Sequence, residues 1–160
     1  MKKSLIVIAC MTALAVLVTV QSAAAQGKLE GVWKVTEVII TGPYTPTLMN
    51  PQPGLFIFTK MYYSMIYIPD DKNRPDLPQK DATDAQKVAT WTPFTANSGT
   101  YEVKGTTVTL HPMVAKNPNE PGVFATWDFK IEGDTLTMTT KATNTGPLAN
   151  PITFKQVRVE

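Results

Sequence analysis

From residue 31 onward the apolar positions fall into short runs with a period of two, separated by turn residues. That pattern predicts a succession of β-strands. Gly31 to Ile40 opens it, rich in the valine, isoleucine and threonine that suit a pleated strand. Simple alternation puts Trp33, Val35 and Ile39 on one face, with Val32, Lys34, Thr36, Val38 and Ile40 on the other. Neither face is cleanly polar, so much of this strand should be covered. Gly31 lets the backbone pass close to another segment, and Trp33 is expected to close one end of a core. Gly54–Thr59 and Met61–Ile68 read as the next strands, with Met61, Tyr63, Met65 and Tyr67 on one face of the latter. Both carry bulky residues on both faces, unlike a sheet with one wet face. Ser98–Val103, Thr106–Val114, Val123–Ile131, Thr135–Lys141 and Ile152–Val159 complete eight strands, several of them joined by short turns such as Lys104-Gly105 and Glu132-Gly133-Asp134. The expected fold class is all-β, an antiparallel barrel of about eight strands with one short helix. Such a barrel either fills its interior with side chains or holds one small ligand.

The interruptions have their own chemistry. Thr41–Pro53 carries four prolines and no period, so it reads as a long ordered loop, either a lid built on Thr45, Thr47, Leu48 and Met49 or a plain connector. Pro69–Lys80 is polar and proline-rich, and its acidic residues lack the ordered spacing of a calcium loop. Thr83 with Gln86 three residues later is a capping-box pattern. Ala85, Val88, Ala89 and Thr92 then recur at helical spacing before Pro93. A helix over about residues 84–91 is expected, plugging or flanking a barrel end, with Trp91 at the edge of its buried face.

Residues 1–25 read as an address rather than part of the fold. Lys2 and Lys3 precede an apolar run from Leu5 to Val20, and Ala23-Ala24-Ala25 is a small-residue cleavage site. This is the pattern of a cleaved signal peptide, leaving a domain over residues 26–160 that is periplasmic or secreted and has no stable membrane anchor. Cys10 sits too early in the apolar run for a lipoprotein signal. Cleavage would remove the one cysteine and leave thirteen basic residues against thirteen acidic ones. A neutral chain without a basic run gives no electrostatic case for nucleic acid. About 135 residues suffice for one core without disulfides.

Catalytic chemistry is thinly represented. His111 is the one histidine, and with no cysteine left it cannot build an ordinary transition-metal site. If Val108 and Leu110 face the interior, His111 faces out. Ser64 and Ser98 have no evident base, and no glycine-rich phosphate loop appears, so no catalytic residue, metal or cofactor is assigned. The stronger signal is a set of aromatic and methionine side chains on the strands. Methionine adapts to irregular apolar shapes, and tyrosine adds a hydroxyl that can orient a ligand.

Several stretches carry a family resemblance: Leu29-Glu30-Gly31-Val32-Trp33, Pro53 to Thr59, Tyr63-Ser64-Met65, Arg74-Pro75, Ser98 to Val103 with Val108 and His111, and Gly133 to Thr137. In this order and spacing they resemble the bacterial lipocalin-like domain family, within the calycin group of β-barrels. The resemblance spans nearly all of residues 26–160. It implies a lipocalin-like barrel, and a basic residue from the last strand stacked on the Gly-x-Trp ring, for which Arg158 is the nearest candidate. The chain departs from the pattern where relatives often carry arginines near Trp127 and in the last strand. Here Trp127, Phe154 and Gln156 stand in those places. Loss of an interior arginine argues against a carboxylate ligand and favours an apolar or aromatic one.

The expected function is therefore binding of a small hydrophobic or aromatic molecule inside the barrel. Tyr63, Tyr67, Tyr101 and Arg74 are the candidate polar contacts, and Met65, Trp127, Phe129 and Met138 the candidate walls. Two alternatives stay open. One is a non-metal isomerase, cyclase or hydrolase of a lipid-like substrate, using His111 or a buried carboxylate. The other is a filled barrel that acts as a protein-interaction module through an exposed apolar patch.

Overall fold

The computed structural model of the protein describes residues 26–42, 47–49, 51–69 and 72–160. The proposed signal peptide, Thr45, Asp70 and Asp71 lie outside them. Ten strands and one helix follow residues 26–29, which are helical. They are β1 (Gly31–Ile40), β2 (Thr47–Met49), β3 (Leu55–Phe58), β4 (Tyr62–Tyr67), α1 (Asp84–Trp91), β5 (Thr95–Lys104), β6 (Thr107–Ala115), β7 (Ala125–Glu132), β8 (Thr135–Thr143), β9 (Gly146–Pro147) and β10 (Ile152–Arg158).

Eight of the strands form a closed antiparallel barrel, in the order β1, β3, β4, β5, β6, β7, β8 and β10. β10 closes it by pairing with β8 on one edge and β1 on the other. The barrel expected from the alternation is thus present. The two short strands are additions to it. β2 folds back from the proline-rich loop onto the far half of β1, pairing Leu48 with Val38, while β3 pairs with the near half. β9 extends the end of β8.

The inward faces follow the pleat except where it is broken. β1 carries a bulge between Val35 and Glu37 in its pairing with β10. One extra residue flips every later side chain to the other face. Val38 is therefore buried beside Trp33 and Val35, and Ile39 is only half-buried. This reverses the expected placement of Val38 and Ile39. β5 starts at Thr95, three residues earlier than the turn chemistry suggested, and this brings Asn97 onto the inner face with Gly99, Tyr101 and Val103. Val108 and Leu110 point inward on β6 and His111 points outward, as the alternation required.

One end of the barrel is closed around Trp33. Its indole Nε1 donates to Leu29 O at 2.8 Å. The Arg158 guanidinium lies 4.1 Å from the centre of the ring and donates to Glu30 O and Lys28 O. The expected cation–π cap is there, and it ties the chain before β1 to the last residues of β10. Gly31 has φ 135°, and a Cβ on it would collide with the Arg158 guanidinium and Glu160 O. Its lack of a side chain is what admits the arginine.

Helix α1 has the expected span and its capping box: Thr83 N donates to Gln86 Oε1 and Gln86 N to Thr83 Oγ1. Its apolar stripe is not buried, however. No residue of α1 is buried, and Val88 and Trp91 are 62% and 58% exposed. The helix is fastened by its end instead. Lys116 Nζ donates to Trp91 O, Thr92 O and Phe94 O at 2.6–2.9 Å, placing a cation on the carbonyls at and just past the helix C-terminus.

Candidate functional site

The alternating strands drive their largest apolar side chains into the barrel, where the rings meet. Phe56 on β3, Tyr67 on β4, Trp127 on β7 and Phe154 on β10 form one cluster with centroids 4.9–6.4 Å apart, in tilted and edge-to-face geometry. Cross-strand pairing sets Phe129, Met138 and Phe154 side by side. Phe58 packs edge-on against Tyr101 nearer the Trp33 end.

Polar atoms are embedded in this apolar interior. Tyr63 OH, Trp127 Nε1, Asn97 Oδ1 and both amide atoms of Gln156 are buried and have no hydrogen-bond partner among the described residues. Gln156 is 0% exposed and faces Val35 on one side and Leu136 on the other. A finished apolar core pairs nearly all such groups, because a buried unpaired donor or acceptor costs about 1–3 kcal/mol. Five such atoms, on four inward-facing side chains, set this interior apart from a finished apolar core.

One polar group is more organised. On the inner faces of β4 and β5, Met65 pairs with Asn97 and Tyr67 with Thr95. Asn97 Nδ2 donates to Glu120 Oε2 at 2.8 Å, from the loop between β6 and β7. The Glu120 charge is felt at the Tyr63 and Tyr67 hydroxyls. Burial, and then this negative charge, push both phenols above their ordinary range; a side-chain hydrogen bond with Thr95 partly offsets the shift at Tyr67.

The expected site residues divide. Tyr63, Met65, Tyr67, Trp127, Phe129 and Met138 all turn inward, and the structure brings them together. Tyr101 also turns inward, but its hydroxyl donates to Thr59 O at 2.6 Å beside the turn between β3 and β4. Burial, with the Glu30 charge, pushes its pKa up to about 12. It braces the closed end. Arg74 is apart from the rest, exposed on the loop before α1, its guanidinium 5.6 Å from the Phe94 ring centre. His111 is on the outer surface, where its Nε2 lies 3.2 Å from Glu102 Oε1. Sequence reasoning missed Asn97, Glu120 and the polar role of Gln156. Continuing the β5 alternation back through Gly99 reaches Asn97, whereas nothing in the Asn117-Pro118-Asn119-Glu120-Pro121 stretch distinguishes Glu120. Among the described residues no group of three or more His, Cys, Asp or Glu is placed to hold a metal ion, and no helix is long and apolar enough to cross a membrane.

A second apolar feature lies outside the barrel. Leu55, Ile57 and Ile66 stand exposed on β3 and β4 and, with Lys34, Pro53, Gly54 and Ser64, line a groove of about 310 Å³.

The lipocalin-like domain family matches residues 30–153. The chain belongs to that family. No curated protein and no solved structure matches it. Membership in the lipocalin-like family agrees with the closed eight-stranded barrel and with the Trp33–Arg158 closure of one end. Which molecule a lipocalin-like barrel takes depends on its interior side chains rather than on the fold.

Proposed function

We propose that this lipocalin-like protein binds a small hydrophobic or aromatic molecule inside its barrel, after export from the cytoplasm. The observation that carries the reading is the set of unpartnered polar atoms, Tyr63 OH, Asn97 Oδ1, Trp127 Nε1 and the Gln156 amide, set among aromatic walls. An apolar pocket with a few convergent polar groups is what orients a small ligand. The one histidine, His111, lies on the outer surface and is not available to this interior as a base.

The groove on Leu55, Ile57 and Ile66 favours a second reading, an interaction module that works through its outer face. One titration separates the two. The neutral probe N-phenyl-1-naphthylamine is expected to bind saturably, one per chain, and to quench tryptophan fluorescence. Ile66→Lys, which places a charge in the outer groove, should leave that binding intact. Loss of binding in Ile66→Lys assigns the probe to the outer face, and no saturable binding by either protein removes the interior reading.

A further inference from the structure

The polar groups around Glu120 have one chemical character. Asn97, 7% exposed, commits its Nδ2 to Glu120 Oε2. This fixes the amide, because the flipped orientation would set its oxygen against the carboxylate. Asn97 Oδ1 is left as a buried acceptor without a partner. Tyr63, 3% exposed, brings a second unpartnered oxygen from the adjoining strand. Glu120 brings negative charge and has no cationic partner among the described residues. Lys116 is engaged on the carbonyls after α1, and Arg74 lies over Phe94.

A carboxylate, an amide oxygen and a phenol oxygen together make a receptor for hydrogen-bond donors and positive charge. The ring of Tyr67, edge-on to Phe154, continues the site into the apolar interior. Aromatic faces also attract cations. A carboxylate-headed ligand would meet Glu120 directly and be repelled.

We propose that the barrel selects apolar molecules bearing a protonated amine, with the ammonium held by Glu120, Asn97 and Tyr63 and the apolar body among the interior rings. The proposal rests on the interior-binding reading and names the ligand class for that site. Asn97 and Tyr63 act as neutral acceptors, and Glu120 supplies the charge discrimination.

The test is a matched set of probes, decylammonium, decanol and decanoate, titrated below their aggregation concentrations against the purified protein by tryptophan fluorescence. Decylammonium is expected to bind at least about tenfold more tightly than decanol, and decanoate most weakly. Glu120→Gln should erase the preference for decylammonium over decanol, and an unchanged urea midpoint reports that the variant is folded. Equal binding of decylammonium and decanol by the parent protein overturns the amine proposal while leaving the interior-binding reading intact. A preference that survives Glu120→Gln also overturns it. If none of the three binds, the interior-binding reading fails and the proposal fails with it.

Discussion

Gln156 is the residue whose surroundings least match its chemistry. It sits on β10 between Val35 and Leu136, with both amide atoms buried and unpartnered. Replacing an unpartnered amide by an apolar side chain of similar length removes a desolvation cost. Gln156→Met is therefore expected to raise stability by about 1 kcal/mol in urea unfolding. A loss of that size instead would mean that the amide is paired in solution. The same scale shows how far side-chain roles are readable from sequence. Trp33 and Arg158 announce themselves through the Gly-x-Trp start and one arginine in the last strand, and the structure stacks them. Glu120 gives no such sign. Its significance arises only when the loop after β6 bonds it to Asn97 and brings its charge within reach of two tyrosines.

At the scale of elements, the attachment of α1 is the feature with a measurable consequence. The helix buries no side chain and depends on Lys116 reaching across to its last carbonyls. Lys116→Met should loosen α1 alone. Amide exchange in the helix is expected to approach that of an unstructured segment, while β-strand amides keep their protection. Unchanged helix protection would show that other contacts hold it. The helix span was legible because capping is local chemistry between Thr83 and Gln86. Its packing was not, because an apolar stripe indicates which side chains share a face without saying whether anything covers them. Strand existence was legible for the same local reason. The β1 bulge was not, since one inserted residue leaves composition unchanged and shows only in the pairing with β10. β2 and β9, of three and two residues, are too short to carry a period.

For the whole molecule, the buried tyrosines set an alkaline limit. Burial is the largest cause of the upward shift at Tyr63, Tyr67 and Tyr101, with Tyr101 reaching about 12. In the unfolded chain these phenols titrate near 10. Below that pH both states hold the protons and stability is unaffected. As pH rises from about 10 toward 12 the unfolded chain releases protons that the folded one retains, so stability falls. Urea midpoints should therefore be flat to about pH 9 and decline beyond 10, with tyrosinate absorbance rising on unfolding. A midpoint that stays level to pH 12 would place these hydroxyls in water.

Barrel closure also orders events in time. β1 and β10 are neighbours in space at opposite ends of the chain, and a bond from Thr36 Oγ1 to Lys155 O spans 119 residues. Joining ends so far apart carries a loop entropy cost of about 4 kcal/mol. It cannot begin until the final seven-residue strand, β10, has left the ribosome. Until then β1 and β8 each present an unpaired edge, and unpaired edges are where chains join one another. The barrel therefore closes only once β10 is available, and a product lacking β10 is expected to aggregate through those edges.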